Sequence, residues 1–422
     1  MSDNKDNSEF EGIKLLRGNF AAAYAARAAR VQVVTAFPIT PQTLVVEKIS
    51  ELVDSGKMKC EFLRMESEHS VMTALMSASM TGARTFTATS GQGLLYMSEP
   101  VHWAAGTRLP IVMGIASRGI APPWNIWADF SDVLSQRDSG WMIQLLSTHQ
   151  EIYDSVLMGY KVTEDPDVML PLMVAYGGFI LSHTTKPVQL NTQEMIDEFL
   201  PEIPKNGWDH IFIDPDRPMM HGNLIMPNTT PGYQEFRMEI HIAQMKAKQK
   251  IKDVAEEFKK KFGRDYGNGL VQGYKVKDAD YIMINVGIYA KQMELVVDKL
   301  RDEGVKVGVL RLRTFRPFPW EEIVDAVKNA KAIGVIDRAT AFGTITGGPV
   351  SSEVLGALYS SNATKNKLII PFINGIGGRD VTQKQQENQY RILIESSDKG
   401  EPVVNDEYIE GTYWTGSVGG EN

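Results

Sequence analysis

The sequence predicts an α/β protein in which parallel sheets are covered by helices on both faces. In the first half of its 422 residues, short apolar runs, the first of them β-branched, alternate with loops and with segments of helical apolar spacing. The same alternation returns in the second half, after a Pro-rich stretch and one long polar helix. Strands that alternate with helices pair in parallel and bury both sheet faces. Ligand sites in such sheets lie in the loops that follow the strands.

The elements of the first unit follow from local composition. An Ala-rich segment, 18–30, predicts a helix that packs closely on its neighbours, and the β-branched run 31–37 predicts a buried strand. Helical spacing over 43–55 stops at Gly56, and a further helix is expected over 68–82. Three more strands are predicted at 61–65, 85–89 and 110–116. The chemistry is therefore expected in the loops 38–41, 66–70, 90–93 and 117–127.

The second unit repeats this order after residue 265. Strands are predicted over 280–286, 306–312, 332–337 and 368–374, and helices over 290–304 and 319–330. A Gly-rich loop, 343–349, leads into another helix, and residues 375–380 follow the last strand.

These patterns predict a division of the chain into four parts. An acidic tail covers 1–17, the first α/β unit 18–190, and the second unit with a C-terminal tail 266–422. Between them, 191–265 combines a Pro-rich extended arm, 191–231, with a long Lys- and Glu-rich helix, 234–262. We expect this middle part to make large contacts with other subunits or domains.

Charge and cysteine content exclude several classes of protein. Lys and Arg number 44 against 52 Asp and Glu, a net charge of −8, which argues against a general nucleic-acid binder. Cys60 is the single cysteine, so the chain cannot hold an iron–sulfur cluster or an internal disulfide. No run of about 18 apolar residues predicts a membrane helix. The polar N-terminus and the free thiol favour the cytoplasm.

The first two loops carry polar groups whose roles stay open on local sequence. Thr40 lies between two prolines, which suits either a ligand contact or a helix cap. Glu66, Glu68 and His69 begin a helix, where carboxylates also complement the helix dipole. No second His follows His69 at i+4, so we predict no metal site there.

The next two loops offer close backbone approach and a cation. The turn Ser90-Gly91-Gln92-Gly93 is neither a dinucleotide-binding nor a P-loop motif, but it allows a ligand near the backbone. Arg118 suits a bidentate grip on a carboxylate, although an exposed Arg is the more common case. An ion-pair network and a core or interface cluster of tryptophans are also expected here, from Asp129, Asp132, Arg137 and Asp138, and from Trp103, Trp124, Trp127 and Trp141.

Taken together, the loops resemble the 2-oxoacid:ferredoxin oxidoreductases, in particular alpha subunits of the pyruvate:ferredoxin oxidoreductase type. The resemblance runs from about residue 18 to 382. The motifs that carry it are Phe37-Pro38-Ile39-Thr40-Pro41, Glu66-Ser67-Glu68-His69-Ser70, Thr85 to Leu94, Asn125-Ile126-Trp127, Ser131-Asp132, Arg137 to Trp141 and Gly377-Gly378-Arg379-Asp380-Val381-Thr382.

The resemblance implies a pyrimidine-binding thiamine diphosphate domain followed by a transketolase C-terminal-like domain. The implied reaction converts a 2-oxoacid and coenzyme A into acyl-coenzyme A, CO2 and two electrons. No Gly-Asp-Gly motif with a downstream Asn is present, so a partner beta subunit is expected to hold the diphosphate and its Mg²⁺. Iron–sulfur clusters are expected on other subunits, with gamma and delta (ferredoxin-like) partners. Ferredoxin or a flavin/NAD module would accept the electrons, and neither nucleic acid nor membrane is an expected partner.

Carried over by position, the resemblance assigns roles to the loop residues. Glu68 is similar to the glutamate that hydrogen-bonds the aminopyrimidine ring, and the resemblance implies that Gly91 and Gln92 line that cofactor site. Thr40 resembles a donor to the substrate's carboxylate or adjacent carbonyl, and Arg118 the cation that holds the carboxylate.

Departures from the family pattern leave the substrate open between pyruvate and an aryl 2-oxoacid such as phenylglyoxylate. Phe37 replaces a Tyr, Ser117 an Asn and Phe130 a His. If Phe37 and Phe130 face the pocket, together with Trp124, a bulky substrate is expected; if they face the core, pyruvate is. The alternatives to a catalytic subunit are a scaffold subunit and a self-contained transketolase-like enzyme.

Overall fold

The computed structural model describes residues 7–203, 213, 214, 216, 218, 224–364 and 367–417. The strands are β1 Gly12–Arg17, β2 Val33–Ala36, β3 Glu61–Arg64, β4 Thr85–Thr89, β5 Val112–Ser117, β6 Met142–Leu145, β7 Leu172–Gly177, β8 Thr185–Leu190, β9 Val271–Tyr274, β10 Tyr281–Val286, β11 Val307–Leu312, β12 Thr314–Arg316, β13 Ala332–Asp337, β14 Leu368–Ile373, β15 Tyr408–Ile409 and β16 Thr412–Trp414. The helices are α1 Gly18–Ala28, α2 Thr43–Asp54, α3 Glu68–Met80, α4 Gly91–Tyr96, α5 Ser98–Gly106, α6 Ser131–Ser135, α7 His149–Thr163, α8 Gln193–Phe199, α9 Tyr233–Phe262, α10 Gly287–Asp302, α11 Trp320–Val327, α12 Pro349–Ser360 and α13 Gln383–Lys399.

The first sheet confirms the predicted α/β class. Its strand order is β12-β6-β7-β5-β4-β2-β3, and the neighbours from β6 to β3 pair in parallel. The four predicted strands of the first unit are β2, β3, β4 and β5. Apolar strand residues fill the core between this sheet and its helices, and β5 is buried along its whole length. The loops after β2 to β5 consequently open at one edge of the sheet.

The second sheet has the order β15-β16-β14-β13-β10-β11-β9. Its central strands, β14, β13, β10 and β11, pair in parallel and are the four strands predicted for the second unit. Tyr390 and Phe372 belong to the core between this sheet and its helices.

Two details of the predicted division are wrong. Residues predicted as an acidic tail include β1, which pairs antiparallel with β8 in a separate two-stranded sheet. The predicted extended arm begins with α8, whose first turn is capped by the side chain of Thr192. The long helix is α9, and it ends at Gly263 with a left-handed φ of 72°. Much of the rest of the arm lies outside the described residues.

The two α/β units share a continuous contact. β12 comes from the predicted second unit but pairs with β6 at the edge of the first sheet. Beside it, the buried carboxylate of Glu151 accepts hydrogen bonds from Arg311 (Nη1, 2.7 Å) and Arg313 (Nε, 2.7 Å). Burial opposes ionisation of Glu151, but the two guanidinium groups outweigh it and lower the pKa of the carboxyl to about 2. This ion cluster fixes the second unit against α7.

Within the part of the chain that the structure describes, every helix is too short or too polar to cross a membrane.

Candidate active site

The loops after β2, β3, β4 and β5 bring Thr40, Glu68, Gly91, Gln92 and Arg118 together at one edge of the first sheet. Arg118 Nε donates to the Thr40 carbonyl oxygen at 2.9 Å. A Cβ placed on Gly91 would lie 2.5 Å from Arg118 Cζ, and one on Gly93 would lie 2.5 Å from Glu68 Oε1. The two glycines therefore lie between the carboxylate and the guanidinium, and no larger side chain fits at either position.

Glu68 presents a buried carboxyl group at the start of α3. Ser67 caps the helix, accepting from the Ser70 N–H, so the position of Glu68 in the first turn is fixed. Its side chain is 7% exposed. Burial raises the pKa of the Glu68 carboxyl, opposed by its own backbone N–H. Among the described residues no Lys or Arg pairs with it, so it is available to a ligand.

Two further polar groups, in the strand β4 and at the start of helix α4, which follows it, are buried without a hydrogen-bond partner among the described residues. They are Thr89 Oγ1, which would lie 2.7 Å from a Cβ on Gly93, and Gln92 Nε2. An unpaired buried donor or acceptor costs about 1–3 kcal/mol. Their presence next to a buried carboxyl is typical of a site that a polar ligand completes.

Arg118 is buried, with 4% exposure, and carbonyl oxygens bind two of its three guanidinium nitrogens. In addition to the bond to Thr40, its Nη1 donates to the carbonyl oxygens of Gly119 (3.2 Å) and Asn125 (3.0 Å). Burial lowers the pKa of the Arg118 guanidinium, while Asp132 and Asp129 raise it, and an Arg remains protonated in this setting. Its Nη2 donates to no described residue, and that end is suited to an anion.

Asp132 holds the two strand ends that carry the site. Its carboxylate accepts from the backbone N–H groups of Gly91 (2.8 Å), Arg118 (3.1 Å) and Val133 (2.7 Å), and from the Ser117 hydroxyl. Burial raises the pKa of Asp132 to about 6, against the lowering effect of these hydrogen bonds. One side chain thus ties β4, β5 and α6 together.

The prediction of one ion-pair network that includes Asp132 is therefore wrong. Asp129 and Asp132 bind backbone N–H groups, and Asp129 accepts from Ser131 (2.9 Å) and Gly377 (3.0 Å). Arg137 and Asp138 form the exposed ion pair of the four, with 3.5 Å between Arg137 Nε and Asp138 Oδ2. The sequence did not reveal the role of Asp132 because two of its backbone partners, Gly91 and Arg118, lie on other segments of the chain. The sequence feature that could have indicated this role is a carboxylate, Asp132, soon after Arg118 at the end of a strand.

The loop around Thr40 leaves the Thr40 side chain exposed. The residue that precedes α2 as its cap is Gln42, so Thr40 is not a helix cap, and no described group bonds its hydroxyl. Phe37 is half-buried and packs against the core. The Thr40 hydroxyl is thus free to bond a ligand next to Arg118. Phe37 contributes packing against the core.

Phe130 does not line the pocket, and the prediction that it does is wrong. Its side chain is 0% exposed and belongs to the core. The ring lies where a Cβ on Gly287 would be 2.9 Å away, and the Arg338 guanidinium carbon stands 5.2 Å from its centroid. The Phe130 N–H donates to the Arg338 carbonyl oxygen at 2.8 Å. Its role is to pack the two units together.

The predicted tryptophan cluster divides between core and surface. Trp141 is fully buried and donates to the Val101 carbonyl oxygen at 2.7 Å. Trp103 and Trp127 are exposed, and Trp124, in the loop after β5, is 82% exposed. Of the described residues, none form a group of three or more side chains that could hold a metal ion.

Comparison with known proteins identifies both units. A family model described as pyruvate flavodoxin/ferredoxin oxidoreductase, thiamine diphosphate-binding, matches residues 24–256. A second, pyruvate:ferredoxin oxidoreductase core domain II, matches residues 279–386.

Two relatives illustrate the range of named activities. The chain is 47% identical over 369 residues to a ketoisovalerate oxidoreductase subunit VorA from Pyrococcus horikoshii, covering 87% of this chain and 90% of the relative. It is 41% identical over 405 residues to a pyruvate synthase subunit PorA from Methanocaldococcus jannaschii, covering 96% and 98%.

A solved structure has the same fold at low sequence identity. It is a 2-oxoglutarate:ferredoxin oxidoreductase from Magnetococcus marinus with 2-oxoglutarate, coenzyme A and succinyl-CoA bound. The TM-score is 0.67 at 15% identity, and the match covers 91% of this chain and 66% of that one.

Proposed function

The chain belongs to the 2-oxoacid:ferredoxin oxidoreductase family, and from that premise we propose that it supplies the pyrimidine-binding half of a thiamine diphosphate site together with the cation that grips a 2-oxoacid. The observation that carries the proposal is the convergence of Glu68 and Arg118 on either side of Gly91 and Gly93. A buried acid and a partly free guanidinium at one strand edge meet both requirements of such a site.

The residues around Glu68 fit the pyrimidine ring of thiamine diphosphate. The buried carboxyl, the unpaired Gln92 Nε2 and the unpaired Thr89 Oγ1 offer hydrogen bonds, and the absence of a side chain at Gly93 lets the Glu68 carboxyl lie close to the backbone. When bound, thiamine diphosphate supplies the carbanion that adds to the 2-oxo carbon and the electron sink for decarboxylation. Glu68 holds a proton at its carboxyl for exchange with the ring, and its raised pKa suits this role.

Arg118 orients the 2-oxoacid through its carboxylate. The carbonyl oxygens of Thr40, Gly119 and Asn125 occupy Nε and Nη1 and leave Nη2 for the substrate. The exposed Thr40 hydroxyl stands in the same loop and can donate to the carboxylate or the adjacent carbonyl. Decarboxylation removes the charge that Arg118 grips, so the grip positions the substrate without retaining the product.

Partner subunits complete the enzyme in this proposal. The chain has no Gly-Asp-Gly motif with a downstream Asn, so a beta subunit holds the diphosphate and Mg²⁺. Exposed aromatic side chains flank the site, Tyr96 on α4 and Trp124 and Trp127 in the loop after β5, and a partner would cover them. Coenzyme A enters as co-substrate, and electrons leave through iron–sulfur clusters on gamma and delta (ferredoxin-like) subunits to ferredoxin or a flavin/NAD module.

We assign an aliphatic 2-oxoacid as the substrate, pyruvate or 2-oxoisovalerate, in preference to an aryl one. An aryl substrate was expected if Phe37 and Phe130 face the pocket, but Phe130 is part of the core and Phe37 packs against it. Relatives with 41–47% identity are named for pyruvate and ketoisovalerate. A scaffold role does not explain why Glu68 is buried and unpaired, because an unpaired buried carboxyl lowers the free energy of unfolding.

A substrate panel on the purified native complex tests this assignment. Pyruvate, 2-oxoisovalerate, 2-oxoglutarate, indolepyruvate and phenylglyoxylate are each supplied with coenzyme A and a viologen dye. We expect reduction with pyruvate or 2-oxoisovalerate and none with phenylglyoxylate. Turnover of phenylglyoxylate alone would overturn the aliphatic assignment, and no turnover of any 2-oxoacid would overturn the proposed function.

A further inference from the structure

The loop that carries Arg118, residues 118–130, is held by the second α/β unit as well as by its own sheet. Asn125 Nδ2 donates to the Gly377 carbonyl oxygen at 3.1 Å, and the Gly377 N–H donates to Asp129 Oδ2 at 3.0 Å. The Gly378 N–H donates to the Ala128 carbonyl oxygen at 2.9 Å. Three hydrogen bonds therefore join this loop to the turn 375–379, which follows β14.

Asn125 links this turn directly to Arg118. Its carbonyl oxygen accepts from Arg118 Nη1 at 3.0 Å, while its side chain reaches Gly377. Its Oδ1 accepts from the Trp127 N–H at 2.7 Å, which fixes the conformation of the loop between them. A displacement of Gly377 would consequently move the carbonyl oxygen that holds one end of the guanidinium.

The backbone conformation of the turn 375–379 allows its close contact with the loop 118–130. Gly377 and Gly378 both have left-handed φ, 59° and 77°. A Cβ on Gly377 would lie 2.5 Å from Asn125 Nδ2, and one on Gly378 would lie 2.3 Å from Trp127 Cβ. Both the backbone conformation and the space between the units exclude a larger residue.

We propose that the Gly377–Gly378 turn is a positioning element for Arg118, acting through Asn125, so that the second α/β unit sets the affinity for the 2-oxoacid. This inference rests on the proposed function of Arg118 as the carboxylate grip. It assigns Asn125 and Gly377 no contact with substrate.

The test compares Gly377→Ala, Asn125→Ala and the double variant in the intact complex. Gly400→Ala is the matched control, because Gly400 has a similar φ of 77° but nothing within 4 Å of an added Cβ. We expect each test variant to raise KM for the 2-oxoacid roughly tenfold, because a displaced Arg118 guanidinium binds the substrate carboxylate more weakly. KM for coenzyme A should change less than about twofold, and Gly400→Ala should match the wild type.

The double variant and hydrogen exchange distinguish a specific coupling between Asn125 and Gly377 from a general loss of structure. Because the two residues act through one contact, the double variant should resemble either single variant, and additive effects would overturn the inference. Hydrogen exchange in residues 118–130 should be faster in Gly377→Ala than in Gly400→Ala. Unchanged exchange, or a lower kcat with unchanged KM for the 2-oxoacid, would also overturn it. The exchange result does not depend on turnover, so failure of the coupling between the turn and the loop is distinguished from failure of the proposed function, which would appear as no turnover of any 2-oxoacid by the wild-type complex.

Discussion

Replacement of Glu68 by Gln removes the group that we propose exchanges a proton with the cofactor, and it changes little else. Gln has nearly the same volume, and the Glu68 carboxyl bonds no described side chain that the change would leave unpaired. Since the pKa of Glu68 is raised by burial, the neutral amide should not lower the free energy of unfolding of the protein. Thermal unfolding of the complex is therefore expected to stay within a few degrees of the wild type.

The expected kinetic effect is large. Positioned general acids and bases contribute typically 10²–10⁴-fold to a rate, which corresponds to roughly 3–5 kcal/mol of activation free energy. We expect Glu68→Gln to lower kcat by about that factor in a viologen-reduction assay of the complex. KM for the 2-oxoacid should change little, because Arg118 is untouched.

Glu66→Gln provides the matched control. Glu66 lies in the same turn, but it is exposed and its carboxylate accepts from the Ser70 hydroxyl. We expect this control variant to retain activity within about twofold. Full activity of Glu68→Gln would refute the catalytic role of Glu68 and favour the scaffold alternative. Equal losses in both variants would show that the effect arises from the helix start and not from the buried acid.

Two further predictions concern the substrate grip and the contact between the units. Arg118→Lys should raise KM for the 2-oxoacid roughly 10–100-fold in steady-state assays, because a lost charge-assisted hydrogen bond costs about 1.5–3 kcal/mol; an unchanged KM would contradict the grip. Glu151→Gln should lower the free energy of unfolding at pH 7, because Arg311 and Arg313 stay buried without their carboxylate. The lowered pKa of Glu151 means that its stabilising contribution is present above the ordinary pKa of 4.5 and is lost as pH falls towards about 2. Chemical denaturation should therefore show a wild-type advantage of roughly 3 kcal/mol at pH 7 that shrinks below pH 4.5, and the same difference at pH 7 and pH 3 would contradict this assignment.

Local sequence was sufficient for the strands and loops that hold the site. The runs that became β2 to β5 are short, β2 and β4 are rich in β-branched residues, and each of the four strands is followed along the chain by a helix. Because parallel strands end at one edge of a sheet, the joint position of Thr40, Glu68 and Arg118 followed from chain order alone. The assignment of roles to these residues came from the resemblance.

Features that depend on distant contacts were not predictable. The sequence of β1 gives little indication of a face that packs on the core. Its partner strand, β8, lies at the other end of the first unit. α7 is buried on nearly all sides, so it lacks the polar face that marks an amphipathic helix. The direction of Phe130 is set by Gly287 and Arg338, which belong to the second unit.

The measurement that most directly tests the half-site is calorimetric titration of thiamine diphosphate with Mg²⁺. The chain alone and the complex with its diphosphate-binding partner are titrated under the same conditions. We predict saturable binding by the complex and no measurable binding by the chain alone, since the proposed contacts from Glu68, Thr89 and Gln92 reach the pyrimidine end only. Equal affinity for the isolated chain and the complex would contradict the shared site and indicate a self-contained thiamine enzyme.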